Sequence, residues 1–315
     1  MLTFPDRIVD RLALPLARRL EGDIFASQAR LEAHIERRRR RPVDPRPPRG
    51  VRRAVELEVG ERHGWPVFTA TPRRGESAVS LVYLHGGAYV NEISRWHWLL
   101  IRELVEAVPA RSFVPIYPLA PDAGAEDVVP RAAEIAGELI AAGGARPTIL
   151  IGDSAGAGLA VATAIALRDR GSGQPSRLIL LSPWVDATVS DPRQHAVAPR
   201  DRMLRPPGLA AAGRIYAGAL APDDPRVSPI HADLRGLAPM TIFSGTDDIL
   251  DLDSRRLAEE ARRAGVEVDL DRVDAAPHDF PLLPTRHGAR ARARIIEIIR
   301  AEGERRAAGP PAERA

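Results

Sequence analysis

The sequence of 315 residues contains no cysteine and no lysine, and aromatic residues make up only 4% of it. The absence of cysteine excludes disulfide bonds, thiolate metal sites and cysteine nucleophiles, and it fits a reducing compartment. All 45 basic residues are therefore arginine, and together with 42 acidic residues they leave a net charge of +3. So small an excess of positive charge is weak support for nucleic-acid binding.

Long apolar segments are also missing. The uncharged run at residues 154–167 is too short to span a membrane. Asp6, Arg7 and Asp10 interrupt the apolar residues near the N-terminus, so this segment lacks the apolar core of a signal peptide. We therefore expect a soluble, cytoplasmic protein without a membrane span. Its length suits one large α/β domain with an added lid, or two small domains.

The first fifty residues differ in pattern from the rest of the chain. Apolar residues recur there every four positions, which is typical of one face of an amphipathic helix: Ile8, Leu12, Leu16 and Leu20. Pro15 is expected to break or kink this helix, because proline lacks a backbone donor. Leu31 and Ile35 indicate a second helical stripe. Residues 1–50 are predicted to form cap helices and a linker.

The linker combines an arginine run, residues 37–41, with a proline-rich stretch, residues 42–48. An arginine run beside prolines is typical of a solvated linker. A nucleic-acid-binding patch is the alternative, but no aromatic or helix-turn-helix pattern accompanies the run. We expect no nucleic-acid partner.

Strands and helices alternate from about residue 54 onward, which predicts an α/β fold with a mostly parallel central sheet flanked by helices. The predicted strands are 54–59, 65–70, 79–84, 113–117, 148–151, 178–181, 240–243 and 266–273. The first two are expected to pair as a hairpin. The predicted helices cover about 125–142, 155–169, 206–219, 252–264 and 287–302.

Residues 187–230 do not follow this alternation and are rich in proline, aspartate and alanine. An insertion between two strands of such a sheet lies at the strand ends, where binding sites form. We predict that it contributes to a helical cap, within a catalytic domain of residues 51–303. The charged tail, residues 304–315, is expected to be mobile.

The pentapeptide Gly152-Asp153-Ser154-Ala155-Gly156 has a spacing that places a serine on a sharp turn between a strand and a helix. The turn is strained, and the two glycines avoid collisions with neighbouring backbone. An ordinary strand-to-helix turn is the alternative. The buried strand before the motif and the small residues after it favour Ser154 as the nucleophile of a serine hydrolase.

A candidate oxyanion hole lies upstream of this motif. His85-Gly86-Gly87 follows the predicted strand 79–84, and its two glycines would let backbone N–H groups point into a cavity. Ala155, the residue after the nucleophile, would supply another donor. A simple Gly-Gly turn is the alternative. His85 itself is predicted to be structural.

Together these motifs resemble the hormone-sensitive-lipase-like family of esterases. The segments 117–121 and 182–184 also resemble that family, and the similarity covers roughly residues 79 to 282. The resemblance implies an α/β-hydrolase fold with a helical cap, and ester hydrolysis through an acyl-enzyme intermediate. One departure is Ala88, because the family often has a third glycine at this point of the oxyanion loop.

The chemistry also needs a base and an acid, which follow the serine in that fold in the order acid, then histidine. His278 lies in the loop after the last predicted strand and is the predicted base. The resemblance supports this prediction, because the family's catalytic histidine is followed by a small or polar residue and then by phenylalanine. His287 is expected on a helix face.

Three aspartates follow the predicted strand 240–243: Asp247, Asp248 and Asp251. Their positions alone do not separate them. The resemblance selects Asp248, because the family carries the acid immediately before an apolar pair. The other two are expected to serve as an N-cap or to lie at the surface.

Aromatic side chains near the motif loops are candidates for lining the acyl and alcohol pockets: Tyr89, Trp184, Tyr216 and Phe280, with Trp96 and Trp98 as further candidates. The alternative is that each belongs to the core. Members of the family mostly prefer short acyl chains, so the resemblance implies a small ester as the substrate.

No metal-ligand spacing, Walker motif or dinucleotide-binding pattern is present, so we expect neither a metal nor an organic cofactor. An amidase or deacetylase and a lactonase would use the same three residues and stay open. A non-catalytic ligand-binding protein on this fold is a further alternative, which the intact set of Ser154, Asp248 and His278 disfavours. A homodimer also stays open, because relatives in the family sometimes dimerise through the last strand and helix.

Overall fold

A sheet of eight strands forms the centre of the protein, in the order β1-β2-β4-β3-β5-β6-β7-β8. The computed structural model describes residues 3–20, 23–75 and 78–307. The strands are β1 (Val55–Arg62), β2 (Trp65–Pro72), β3 (Val79–Leu84), β4 (Ala110–Pro115), β5 (Thr148–Asp153), β6 (Arg177–Leu181), β7 (Met240–Gly245) and β8 (Val268–Val273).

The α-helices, in chain order, are α1 (Asp6–Ile8), α2 (Leu14–Leu20), α3 (Gln28–Arg40), α4 (Arg49–Ala54), α5 (Arg95–Ala107), α6 (Ala125–Gly143), α7 (Ala155–Asp169), α8 (Arg193–Val197), α9 (Pro206–Ala217), α10 (Asp251–Arg263) and α11 (Arg286–Ala307). Among these described helices, none is long and apolar enough to cross a membrane. Helix α11 extends to Ala307, so residues 304–307 of the predicted mobile tail are helical. Residues 308–315 lie outside the described part of the chain.

The hairpin predicted at the start of the sheet is confirmed. Strands β1 and β2 pair in antiparallel register from Val55 opposite Pro72 to Arg62 opposite Trp65. His63 and Gly64 join them, and both have positive φ angles, 49° and 78°. A two-residue turn of this type needs positive φ at both positions and matches the twist of the strands. The pairing of β2 with β4 is also antiparallel, and the pairings from β4 through β3 to β8 are parallel.

Two apolar layers cover the sheet, one on each face. Helices α6, α7 and α10 pack on one face, and α4, α5 and α11 pack on the other. Alternate residues of β3 divide between them, with Val82 in the first layer and Leu81 in the second. Because both faces are covered, β3, β5 and β6 read in the sequence as continuous apolar runs. Helix α5 is not among the helices predicted from the sequence, although Ser94 caps its N-terminus.

Two separate parts of the chain form a cap beside the carboxyl ends of the strands. The first comprises α1 to α3, and the second is the segment that contains α8 and α9. They meet at Gly208, where an added Cβ would lie 2.3 Å from the Cα of Phe25. Arg214 of α9 also donates a hydrogen bond to Gln28 of α3, with a nitrogen–oxygen distance of 3.2 Å.

The N-terminal helical segment departs in two ways from a regular amphipathic helix packed on the core. Pro15 does not break the segment, and a wider π-helical turn at Val9–Ala13, just before the proline, connects α1 with α2. Its apolar stripe also faces solvent, with 50% exposure for Ile8, 66% for Leu12 and 58% for Leu16. The side chain of Leu20 lies outside the described part of the structure. In α3, by contrast, Leu31 and Ile35 are buried.

Candidate active site

Ser154 lies on a sharp turn between strand β5 and helix α7. Its backbone adopts φ 49° and ψ −119°, a conformation that is rare for a residue with a side chain. The backbone crowds the turn on both sides. A Cβ added at Gly152 would lie 2.5 Å from the carbonyl carbon of Gly156, and one at Gly156 would lie 2.1 Å from the oxygen of Leu84. Glycine is therefore required at both positions.

The structure brings Ser154, His278 and Asp248 together in one chain of hydrogen bonds. Nε2 of His278 lies 3.0 Å from Oγ of Ser154, and Nδ1 lies 2.8 Å from Oδ2 of Asp248. All three residues are buried. An ionised carboxylate only accepts hydrogen bonds, so Nδ1 carries the proton shared with Asp248. That tautomer, assigned from the hydrogen-bond network, leaves Nε2 able to accept the proton of the Ser154 hydroxyl.

The other two aspartates of this segment have different partners. Asp247 pairs with Arg200 on the surface side, with an oxygen–nitrogen distance of 3.0 Å. Asp251 is buried, forms an ion pair with Arg272 at 2.7 Å and accepts a hydrogen bond from Ser244 at 2.9 Å. The expectation of a surface position is therefore wrong for Asp251. Neither residue caps helix α10, whose N-cap is Leu250.

The loop after β3 corrects one predicted donor of the oxyanion hole. The backbone N–H of Gly86 donates to Oδ2 of Asp153 at 3.0 Å. Because that N–H is already engaged, Gly86 does not point a free donor at the cavity, and the prediction for it is wrong. The next two residues, Gly87 and Ala88, line the cavity beside Ser154. Both have positive φ, 119° and 53°.

Asp153 connects the serine turn to this loop, a role that the sequence analysis missed. Besides Gly86, its carboxylate accepts a hydrogen bond from the Tyr83 hydroxyl at 2.6 Å and lies 2.9 Å from Nε2 of His97. Nδ1 of His97 accepts the Ser94 N–H, so its proton is on Nε2, facing the carboxylate. Burial alone would raise the pKa of Asp153, but His97 and the Tyr83 hydroxyl hold that pKa below its usual range.

The side chain of His85 packs within the loop after β3. Its ring stacks on Tyr117, with centroids 4.3 Å apart, and its Nδ1 lies 2.8 Å from the carbonyl oxygen of Gly86. Burial lowers the pKa of His85 to about 4, so the ring is neutral at neutral pH. Among the described residues, His85 neither lines the cavity beside Ser154 nor forms a hydrogen bond with the Ser154 hydroxyl.

The electrostatic environment of His278 favours its protonated form. Burial opposes a charge on the ring, but the carboxylates of Asp248 and Asp279 outweigh this effect and raise the pKa of His278 to about 10. Oδ2 of Asp279 lies 3.2 Å from Nε2. Burial raises the pKa of Asp279 well above its usual range. When Asp279 is protonated, one of the two negative charges beside the ring is lost. The pKa of His278 then falls, and the neutral imidazole that acts as a base forms more readily.

Ser154 and His278 open into a cavity of about 520 Å³ under the cap. Cap side chains form one wall, namely Leu14, Ile24, Phe25, His34, Arg202, Met203 and Leu204. The opposite wall comes from the catalytic domain and includes Asn91, Glu92, Trp96, Asp279, Leu282 and Leu283. The walls are thus mixed, with aliphatic residues beside a small number of polar groups, as is typical of small-molecule sites.

The aromatic residues predicted to line this cavity lie elsewhere. Tyr89, Trp184, Tyr216 and Phe280 are all at most 3% exposed, and none of them borders the cavity. Tyr89 stacks on Tyr216 with ring centroids 3.5 Å apart. These four side chains fill the core beneath the loops instead. Of the six aromatic candidates, Trp96 alone lines the cavity.

Comparison with known proteins assigns the chain that carries this site to a family. The sequence profile of one family, described as having the alpha/beta hydrolase fold, matches residues 81–282. The chain belongs to this α/β-hydrolase family. The match covers both sides of the site, from the loop after β3 to the segment that follows His278.

Individual relatives agree with this assignment. The hydrolase is 33% identical over 215 residues to an acetyl-hydrolase of Streptomyces hygroscopicus, covering 65% of this chain and 70% of the relative. It is 34% identical over 224 residues to a triacylglycerol lipase of Mycobacterium tuberculosis, covering 70% of this chain but only 44% of that lipase.

Solved structures extend the similarity to nearly the whole chain. A crystal structure of a hormone-sensitive lipase from a metagenome library aligns with a TM-score of 0.81 and 29% identity. The alignment covers 96% of the hydrolase and 100% of that chain. The predicted fold, the resemblance to hormone-sensitive-lipase-like esterases and the prediction of a hydrolase of ester bonds are confirmed.

Proposed function

We propose that this hydrolase cleaves small esters with short acyl groups, with Ser154 as nucleophile, His278 as general base and Asp248 as the acid that orients the histidine. The observation that carries the proposal is the hydrogen-bond chain from Asp248 through His278 to Ser154, which ends at a cavity. A serine is a weak nucleophile unless an adjacent base takes its proton, and this arrangement supplies that base.

In the first step, Nε2 of His278 takes the hydroxyl proton while Oγ of Ser154 attacks the ester carbonyl carbon. The carbonyl π electrons move to oxygen, which becomes the oxyanion of a tetrahedral intermediate. When the intermediate collapses, the bond to the alcohol oxygen breaks and the alcohol leaves with the proton from His278. Asp248 stabilises the imidazolium while it exists. The product on the protein is an ester of Ser154.

The second step repeats this sequence with water. His278 takes a proton from the water molecule, whose oxygen attacks the acyl carbon of the Ser154 ester. Collapse of the new intermediate returns the proton to Oγ of Ser154 and releases a carboxylic acid. The two steps together consume one ester and one water and leave the protein unchanged.

For the oxyanion hole we propose the backbone N–H groups of Gly87, Ala88 and Ala155. Gly87 and Ala88 border the cavity next to Ser154, and Ala155 begins the helix after it. Gly86 is left out, since its N–H donates to Asp153. An alanine at position 88 keeps its backbone donor, so the departure from a third glycine does not remove a hydrogen bond from the site.

A fluorophosphonate probe tests the nucleophile. It should label the folded hydrolase at Ser154, because an activated serine displaces the fluoride, and mass spectrometry of the digested protein should locate the adduct there. A sample unfolded before labelling is the control and should stay unmodified. If the folded hydrolase carries no adduct at Ser154, the proposed mechanism is wrong and a non-catalytic binding role gains support.

The short-acyl preference is supported by the limited cavity and by the acetyl-hydrolase named among the relatives. The acyl group and the alcohol of the bound ester must share about 520 Å³. With nitrophenyl esters of increasing length, we expect kcat/KM to peak at acetate or butyrate and to fall roughly tenfold or more by octanoate. A maximum at octanoate or longer chains would contradict this preference.

A further inference from the structure

The helical segment from α1 to α2 presents an apolar stripe that nothing in the described chain covers. Six large apolar side chains are strongly exposed in the described part of the chain, and four of them lie on or just before this segment at intervals of four residues: Phe4, Ile8, Leu12 and Leu16. Their exposures are between 50% and 66%. Clustered exposed apolar residues mark interaction surfaces, whereas single ones are normal. We call these four residues the outer stripe.

The geometry of the segment keeps the outer stripe straight. Four residues amount to slightly more than one α-helical turn, so a stripe with this spacing would drift around a regular α-helix. The π-helical turn at Val9–Ala13 is wider and compensates for part of that drift. The side chains of Ile8, Leu12 and Leu16 consequently share one side of the segment, and Phe4 lies just before the helix, in a β-bridge with Thr285.

The opposite side of the same segment is fixed to the catalytic domain. The Phe4 N–H donates to the carbonyl of Pro284 at 2.7 Å, and a carboxylate oxygen of Asp6 accepts the N–H of His287 at 2.9 Å. Val9 is buried, and Leu14 lines the substrate cavity. The outward direction of the stripe is therefore set by attachments along the inner side of the segment.

Charges divide between the two sides in the same way. The two acidic residues of the segment, Asp6 and Asp10, are turned toward the domain and lie close to His287. Arg7, Arg11 and Arg19 are exposed. The solvent side of residues 3–20 therefore combines aliphatic and aromatic side chains with positive charge. Beside Leu12 and Leu16, the same surface groove also contains Asp23 and Arg30, so arginines outnumber acids there.

We propose that the outer stripe and its arginines dock the hydrolase on an anionic lipid surface. Interfacial helices bury their apolar residues at the boundary of the acyl chains, while arginines beside them bind anionic headgroups. A second copy of this chain fits the surface less well, because a symmetric contact would bring the two sets of arginines together. The positive charge therefore favours a lipid partner.

Docking in this way would place the substrate cavity next to the lipid. Leu14 belongs to the same segment as Leu12 and Leu16 but faces the cavity. A lipid surface on the outer stripe is thus separated from the cavity by the width of one helix. Esters dissolved in the lipid would reach the site over a short path, while esters in water would still enter without docking.

The test measures co-sedimentation of the full-length hydrolase with vesicles. One set consists of phosphatidylcholine alone, and the other of phosphatidylcholine mixed with phosphatidylglycerol. We expect binding to the mixed vesicles that weakens as salt is raised, because salt screens the attraction between arginines and headgroups. Absence of binding to the mixed vesicles, or equal binding to both sets, would overturn the proposal.

Paired variants identify the surface. The double variant Leu12→Glu/Leu16→Glu should lose vesicle binding, whereas Val43→Glu/Val59→Glu, which changes two equally exposed apolar residues elsewhere, should keep it. Arg7→Gln/Arg11→Gln should weaken binding about 25-fold, since each arginine contributes about fivefold near an anionic surface. The matched control Arg52→Gln/Arg74→Gln replaces two exposed arginines away from the stripe and should bind as the parent does.

Two further measurements separate this inference from the proposed chemistry. Hydrolysis of a water-soluble nitrophenyl ester should be the same in every variant, because none of the changed residues lines the cavity. Unchanged hydrolysis with lost vesicle binding would support the inference. Light scattering on the hydrolase without lipid tests whether a second copy of the chain covers the outer stripe. Self-association that Leu12→Glu/Leu16→Glu abolishes would assign the stripe to a second copy and overturn the lipid proposal.

Discussion

Replacement of Ser154 by alanine is expected to lower kcat for a nitrophenyl ester by about 10⁶-fold, the size of loss that follows removal of the nucleophile in other serine hydrolases. No covalent intermediate can form without Oγ, so only binding and the oxyanion donors would still accelerate attack by water. The variant should fold as the parent does, because alanine is smaller than serine and the Ser154 side chain does not cap helix α7.

The same experiment contains a test of cooperation within the triad. His278→Ala should cause a loss similar to that of Ser154→Ala, and the double variant should fall no further, because each residue is useless without the other. Ser112→Ala is a matched control. Ser112 is a buried serine of strand β4 whose hydroxyl has no hydrogen-bond partner among the residues that the structure describes, so its loss should leave kcat unchanged. Multiplicative losses in the double variant would show that Ser154 and His278 act separately.

Asp248→Asn is expected to lower kcat by about 10⁴-fold, as the equivalent change does in a protease triad. An asparagine has nearly the same shape but can donate a hydrogen bond to Nδ1, which would move the ring proton to Nε2 and leave no acceptor for the Ser154 hydroxyl. Asp247→Asn is the matched control and should change kcat by less than about twofold, because the ion pair with the exposed Arg200 is worth little. Equal losses in the two variants would show that Asp248 is the wrong acid.

The pH profile of the residual activity gives a second readout. The carboxylate of Asp248 helps to raise the pKa of His278, so the neutral amide in Asp248→Asn should lower it. Only the neutral imidazole acts as a base. The acidic limb of the kcat/KM profile should therefore move to lower pH in this variant, and it should stay in place in Asp247→Asn. A limb that does not move, or moves to higher pH, would contradict the assignment.

Several elements are predictable because one local rule decides each of them. Strand β3 and helix α7 have the same bounds in the prediction and in the structure. An apolar run covered on both faces specifies the strand, and the serine motif followed by small residues specifies the start of the helix. The position of the proposed catalytic base is predictable for a similar reason, since His278 is the single histidine in the loop after β8.

The predictions that the structure contradicts failed for a different reason, because they depend on contacts between residues far apart in the sequence. Whether the N–H of Gly86 is free depends on the position of Asp153, a residue far away in sequence, and two adjacent glycines in a motif do not reveal it. The same holds for Tyr89 and Tyr216, which the sequence predicts to line the cavity. Their mutual stacking requires that helix α9 lie against the oxyanion loop, a tertiary arrangement that composition does not encode.

Asp153 itself could have been noticed from the sequence. A charged residue between a buried strand and an apolar helix is costly unless partners satisfy it, so its presence indicates a built hydrogen-bond network. Its partners Tyr83 and His97 could not be predicted in the same way. His97 belongs to helix α5, which the sequence pattern did not reveal.

The contact between Phe25 and Gly208 restricts how such hydrolases can be recombined in the laboratory. Backbone from the first part of the cap fills the space that any side chain at position 208 would need. A chimera that takes residues 3–40 from a relative, yet retains the native 187–230 segment, would join two surfaces that were never matched at this point. Exchange of specificity between relatives should therefore transfer both segments as one module, despite the long stretch of sequence that separates them.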